Sequence, residues 1–181
     1  MKKLIILSIL ISSVFTGCKT DKKEPKISVA EDKELTVLEK IANANGFDNW
    51  NDVQSIKFTF NVDRDAEHFE RTWLWNTKSN DVTMMTRQDT ISYNRKSVDS
   101  TMVATDGGFV NDKFWLLAPY QLVWDQKSFT YKHTEGVEAP ISKTTMHKLT
   151  TVYDNDGGYT PGDAYDYYFG DDYVIKEWVY R

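Results

Sequence analysis

The feature that most constrains this fold is an alternation of apolar and polar residues with a period of two. In SIKFTFNV (55–62) every second residue is apolar, as in a strand with one buried face. The pattern continues over 68–76, where Arg71 alone interrupts the apolar side. Further strands are predicted over these ranges: 81–88, 90–97, 100–106, 128–134, 145–153, 163–169 and 173–180. Because strands follow one another at short intervals, we expect an antiparallel meander of about nine strands.

One long helix is predicted ahead of the strands. Apolar residues recur at helical spacing between residues 33 and 45. They would form one apolar face of a helix, and that face has to pack against another part of the protein. Asp32 is a candidate N-cap, and Asn45-Gly46 supplies a stop signal. The spacing predicts a helix of about three to four turns over 33–45.

A second apolar stretch, FVNDKFWLLAPYQLVWD (109–125), is predicted to contain only a helix of one to two turns. Pro119 disfavours helical backbone at Ala118, so a longer helix is not expected. The predicted fold class is therefore mainly β with one long helix (α+β). We expect a curved antiparallel sheet, or incomplete β-barrel, wrapped around the N-terminal helix.

The N-terminus carries an export pattern. Lys2 and Lys3 precede an apolar run of 12 residues, which is too short to span a membrane and fits a signal peptide. The run leads into VFTGC, which resembles the lipobox of bacterial lipoproteins apart from Phe15, where that box usually has Leu. The resemblance implies that Cys18 receives a diacylglyceryl group. We expect a lipoprotein signal peptide over 1–17, a lipidated tether over 18–31 and one domain over 32–181.

Cysteine usage and charge restrict the function classes. Cys18 is the single cysteine of the chain, so the domain is expected to have no disulfide, thiolate metal site or cysteine catalysis. Lipidation of Cys18 predicts attachment to a membrane, and we expect the bacterial outer membrane, on its periplasmic or surface face. After residue 17 the chain has 20 Lys and Arg against 27 Asp and Glu, which argues against nucleic acid as a partner.

Two stretches carry a resemblance to a known family. FVNDKFWLLAPYQLVWD and YDNDGGYTPGDAYDYYFGDDYVIKEWVY resemble an uncharacterised family of Bacteroidota-type lipoproteins, and the similarity spans residues 33–180. That family in turn resembles the lipoprotein carriers LolA and LolB in architecture. The resemblance implies an incomplete antiparallel barrel, closed by helices around an apolar cavity. It implies fold and compartment, and no catalytic residue.

A set of aromatic residues is the candidate ligand site. Most of its members fall on one parity of their strands, so each belongs either to a packed core or to the wall of an apolar pocket. The set comprises Phe58, Phe60, Trp73, Trp75, Trp115, Tyr165, Tyr167, Trp178 and Tyr180. The first hypothesis is a non-enzymatic protein that binds a lipid or acyl chain among these residues. The alternative is a surface lipoprotein whose exposed aromatics bind a glycan or a protein partner.

No catalytic, metal-ligating or cofactor-binding residue is predicted. His68, His133 and His147 lie in no recognisable nucleophile or metal-binding spacing. His133 and His147 fall in predicted strands, where we expect them to be surface residues rather than ligands. A calcium site in DNDGGYTPGD (154–163) is not expected, because two glycines occupy positions where ligands would be needed.

Overall fold

The computed structural model describes residues 34–156, 159 and 161–181. The predicted signal peptide, Cys18 and the predicted tether therefore lie outside the described residues. The helices are α1 (Val37–Ala44) and α2 (Val103–Trp124), with short 3-10 helices at Phe47–Asp52 and Arg95–Ser97. The strands are β1 (Ser55–Arg64), β2 (Glu67–Asn76), β3 (Asp81–Met85), β4 (Thr90–Asn94), β5 (Phe129–Glu138), β6 (Thr145–Tyr153), β7 (Ala164–Phe169) and β8 (Ile175–Tyr180).

The eight strands form two antiparallel sheets. Strands β1 to β4 make one four-stranded meander, and β5 to β8 make another, each in sequence order. The prediction of a mainly β fold is confirmed, and the prediction of a single nine-stranded sheet is wrong. The predicted strand at 100–106 is wrong because α2 begins at Val103. The C-terminal hairpin is confirmed as β7 paired with β8.

Helix α1 is shorter than predicted, with about two turns. It begins in a capping box. The backbone N–H of Glu39 donates to the Thr36 side chain, and the backbone N–H of Thr36 donates to Glu39 Oε2 at 2.7 Å. The predicted stop is confirmed, since Asn45 caps the helix and Gly46 follows at φ +93°. A Cβ on Gly46 would meet Tyr120 Oη at 3.3 Å, so this turn also packs closely on α2.

Helix α2 is the longest element, and its length is the main correction to the prediction. It runs for 22 residues through Gly107, Gly108 and Pro119, with one non-helical residue at Leu117. A proline inside a helix removes a hydrogen bond and kinks the helix, which explains the break at Leu117. No helix in the described part of the chain is both long and apolar enough to cross a membrane.

Helix α2 is long because its residues pack into two separate cores. Phe109 packs into a core with Trp73, Trp75 and Val82 of the first sheet. Ala118 and Leu122 pack into the second core, whose other buried members are Leu38, Ile41, Phe129, Leu149, Tyr165, Tyr167 and Phe169. A helix that is apolar on more than one side is stable only when it is buried on those sides. Tertiary packing therefore outweighs the helix-breaking residues.

Arg71, the residue that interrupts the apolar side of β2, binds a buried carboxylate on α2. Its Nε donates to Asp112 Oδ2 at 2.5 Å, and its Nη2 donates to Oδ1 at 2.7 Å. The indole N–H of Trp73 also donates to Asp112 Oδ2, at 2.8 Å. Asp112 is 1% exposed, so these hydrogen bonds replace its lost hydration. The ion pair joins the first sheet to α2.

We expect Asp112→Ala to lower the free energy of unfolding by about 3–5 kcal/mol, because Arg71 and the Trp73 indole would lose their buried acceptor. Urea denaturation followed by tryptophan fluorescence measures the change. The control is Glu138→Gln, which breaks an exposed pair with Lys143 and should cost less than about 1 kcal/mol. Equal losses in the two variants would contradict a structural role for the buried pair.

Candidate functional site

An aromatic cluster lies where α2 meets the last strands of the second sheet. The Trp115 and Trp178 rings are 4.8 Å apart between centroids, and Phe114 stacks on Tyr165 at 4.6 Å. Tyr180 lies 5.4 Å from Tyr165. Such contacts hold the rings in place before any ligand arrives, so little side-chain entropy is lost on binding.

Trp115 is the common wall of three neighbouring surface depressions with volumes of about 530, 220 and 260 Å³. We call them together the Trp115 groove. From the first sheet the groove is lined by Phe60, Val62, Arg64, Glu67, Phe69 and Arg71. From α2 it is lined by Val110, Asn111, Phe114, Trp115, Ala118 and Pro119, and from elsewhere by Asn45, Asp163, Tyr165, Tyr167, Ile175, Lys176, Trp178 and Tyr180.

The groove is open to solvent and largely apolar. Phe69 and Trp115 are each 47% exposed, and Tyr180 is 55% exposed. Large apolar side chains grouped on a surface are typical of binding sites. The rim also holds fixed polar groups, since the hydroxyls of Tyr165 and Tyr180 both donate to Asp163.

Two arginines at the first-sheet end of the groove differ in their freedom to bind a ligand. The charge of Arg71 is balanced by Asp112, and its guanidinium lies 5.4 Å from the Phe69 ring centroid. Arg64, at the end of β1, has no ion pair within the described part of the chain. Glu67 is its register partner across the hairpin. This end of the groove therefore carries one positive and one negative side chain, neither of which forms an ion pair with a described residue.

The structure brings six of the nine predicted ligand-site residues to one groove and places the other three elsewhere. Phe60, Trp115, Tyr165, Tyr167, Trp178 and Tyr180 line the Trp115 groove. Phe58 and Trp73 pack against Phe109 in the first core, and Trp75 lines a separate depression beside Trp50 and Trp124. Tyr165 and Tyr167 are at the same time buried members of the second core, so the groove borders that core rather than lying apart from it.

Sequence reasoning did not select Val62, Phe69 or Phe114 as site residues. Phe69 and Val62 face each other as register partners in β1 and β2, and both line the groove. Their strand parity is the same as that of Phe60, which was a usable signal. Phe114 lies on α2, whose extent was not predicted, so its position beside Tyr165 had no signal in the sequence.

A polar pocket of about 380 Å³ lies on another side of α2, and we call it the Lys113 pocket. Lys113 precedes Trp115 by two positions, which places it about 200° around the helix. Its lining residues are Arg95, Val110, Lys113, Gln121, Asp125, Ser128, Tyr153, Asp154, Asp156 and Tyr159. Lys113 Nζ lies 5.1 Å from the Trp124 ring centroid and makes no ion pair with any residue between 34 and 181 that the structure describes.

Burial changes the protonation of this pocket. It lowers the pKa of Lys113 to about 8, assisted by the nearby charge of Arg95 and opposed by Asp125 and Asp106. Burial raises the pKa of Asp125, against the charge of Lys113 and a hydrogen bond from Tyr153. Gln121 Nε2 is buried without a hydrogen-bond partner among the described residues. The pocket thus offers an uncommitted cation and an uncommitted amide donor.

Asp106 supports the wall of the pocket by accepting hydrogen bonds from three neighbours, two of which line it. Arg95 Nε donates to it at 2.7 Å, and the hydroxyls of Tyr93 and Tyr159 each donate at 2.9 Å. Burial alone would raise the pKa of Asp106. The charge of Arg95, together with hydrogen bonds from Arg95, Tyr159 and Tyr93, outweighs burial and holds the pKa below its usual value. Asp106 therefore stays charged and holds Arg95 and Tyr159 in the pocket wall.

Compared with known proteins, the chain matches no family model, no curated protein and no solved structure.

The lowered pKa of Lys113 predicts how the stability of the protein depends on pH. Below pH 8 the lysine is charged in both states, and its burial destabilises the folded protein. Between about pH 8 and pH 10 the folded protein loses this proton before the unfolded chain does, so stability rises with pH, by about 1–3 kcal/mol. Chemical denaturation across this range should show the rise in the wild type and not in Lys113→Met.

Lys132→Met, which removes an exposed lysine on β5, is the control and should keep the rise. If Lys113→Met and the wild type had parallel profiles between pH 8 and pH 10, Lys113 would not be the buried lysine described above.

Proposed function

We propose that this protein is a lipid-anchored protein of the bacterial outer membrane that binds an apolar chain, such as the acyl chain of a lipid, in the Trp115 groove. The proposal includes no catalytic step and no nucleic-acid partner. The single observation that carries it is that Trp115 lines three separate depressions, each with further aromatic side chains in its wall. We infer that a flexible chain bound at Trp115 would contact more than one of them.

The chemistry of the groove supports an apolar chain. Apolar and aromatic walls gain about 25 cal/mol for each Å² that a ligand removes from water. The largest depression alone, at about 530 Å³, falls in the range of small-molecule sites. The unpaired charges of Arg64 and Glu67 lie at one end of it, where the polar head of an amphipathic molecule would be hydrated.

A second function is supported by the exposure of the same aromatics. The ring of Trp115 is about half exposed and lies beside Asn111 and Asp163, so a sugar could stack on the ring and hydrogen-bond to the two polar side chains. The alternative proposal is therefore a surface lipoprotein that binds a glycan through these residues. The two proposals share the groove and differ in the ligand.

We expect Trp115→Ala to weaken binding of a dansyl-labelled fatty acid about tenfold or more, because the wall common to all three depressions is lost. Fluorescence titration of protein purified without detergent measures the affinity. The matched control is Leu116→Ala, since Leu116 is equally exposed on the same helix and does not line the groove. It should change the affinity less than about twofold.

The same variants distinguish the two ligands. Native mass spectrometry should detect co-purifying lipid on the wild type and less on Trp115→Ala. If the wild type binds no fatty acid and carries no lipid, the acyl-chain proposal is wrong. Binding of a soluble glycan that is lost in Trp115→Ala, and retained in Leu116→Ala, would then support the alternative.

The anchor has its own test. Because the thiol of Cys18 is the proposed acylation site, we expect Cys18→Ser to abolish incorporation of labelled palmitate in cells that export the full chain. The protein should then move from the membrane fraction to the soluble periplasmic fraction. Equal labelling of wild type and variant would contradict lipidation at Cys18.

A further inference from the structure

Two neighbouring strands of the second sheet bring two histidines and a glutamate together. His133 lies on β5 and His147 on β6, and His133 Nε2 is 3.3 Å from His147 Nδ1. One side-chain atom each of His133, Glu135 and His147 lies within 4.8 Å of the other two. Within the described part of the chain, this is the one such trio of potential metal ligands.

An irregularity in the strand pairing creates the cluster. His133 is paired with Leu149 and Thr134 with Lys148, after which the register shifts before Val137 pairs with Met146. Glu135 and Gly136 therefore share one position opposite His147, and Gly136 takes a φ of +66°. A bulge of this kind redirects side chains and is frequent beside functional sites. Here it places Glu135 next to the two imidazoles.

The histidine rings are held in position from two sides. Both stack on the buried Phe169, with ring centroids 5.7 Å away for His133 and 5.4 Å away for His147. His147 Nε2 lies 3.1 Å from Asp171 Oδ1 in the turn between β7 and β8. Because a carboxylate oxygen only accepts, Nε2 is the protonated nitrogen and Nδ1 presents its lone pair to His133. Metal-binding histidines commonly have such a carboxylate behind them.

We propose that His133, Glu135 and His147 bind a divalent transition-metal cation, with Zn²⁺ as the cation that fits best. Zn–N bonds of about 2.0–2.1 Å at a tetrahedral angle place two nitrogens about 3.3–3.4 Å apart. The two imidazole nitrogens already have this separation, at 3.3 Å. Two histidines and one carboxylate are a known zinc ligand set, and a water molecule completes the tetrahedron.

Glu135 is free to complete the site. Its side chain is exposed and makes no hydrogen bond or ion pair with the residues that the structure describes. A rotation of that side chain moves the carboxylate toward the nitrogens without moving the strand. Without a metal, His133 Nε2–H donates to His147 Nδ1, and the cluster is only a hydrogen-bonded pair. Direct measurement of metal binding separates these two states.

The experiment is a titration of the metal-free protein with Zn²⁺ in competition with a chromophoric chelator. We expect one Zn²⁺ per chain in the wild type, and loss of binding by about 100-fold or more in His147→Ala. Asp171→Asn and Glu135→Gln should each weaken binding about 10- to 100-fold. Both residues are exposed, so these two variants are expected to fold normally even if a histidine variant does not. Co²⁺ should give the intense visible absorption of a tetrahedral site.

The matched control is His68→Ala. His68 lies between Asp63 and Glu70 on the first sheet, with Nδ1 2.7 Å from Asp63 Oδ1, so it is a histidine beside carboxylates without a second imidazole. Its removal should leave the zinc affinity unchanged. The proposal is overturned if the wild type takes up no zinc in competition with the chelator, or if the His133→Ala/His147→Ala double variant binds it equally well. Neither result depends on the Trp115 groove.

Discussion

The structure depends on the burial of α2 along two of its sides. The first sheet contributes Trp73 and Trp75 against Phe109, and the second contributes a core against Ala118 and Leu122. Neither four-stranded meander has another long helix to cover its inner face among the described elements. Removal of α2 would expose both cores to water together. The ion pair between Arg71 and Asp112 fixes how this helix is seated on the first sheet.

The Trp115 groove and the Lys113 pocket both follow from that arrangement. A helix with sheets on two sides leaves two further sides open, and the surface depressions occur there. The Trp115 groove is aromatic, whereas the Lys113 pocket holds a lysine whose charge is buried at a cost. Because both are lined by α2, a change in its kink at Leu117 would move the walls of both.

The strands were predictable, and the helix that organises them was not. Alternation is a local pattern, so eight of the nine predicted strands are present. Helix α2 contains Gly107, Gly108 and Pro119, which indicate a turn or a break, and only the two cores that it fills explain its length. The division into two sheets depends on which strands pair, and no local pattern states this.

The candidate sites were also predictable only in part. The aromatic residues could be found because their chemistry is visible in the sequence, and six of the nine line one groove. His133 and His147 were expected to be strand-surface residues, and neither segment indicates that the two rings lie together. Its proximity depends on a bulge at Gly136 and on the register of β5 with β6. Both are properties of the paired strands rather than of either segment.

The position of α1 has a consequence for biosynthesis. Leu38 and Ile41 precede the first sheet in the chain, yet they are buried with Leu149, Tyr167 and Phe169 of the second. During synthesis α1 therefore emerges before the strands that bury it, and β6 and β7 are among the last elements to follow. The second core therefore closes only after nearly the whole chain has been synthesised, whereas the first core, built from β2, β3 and α2, can form earlier.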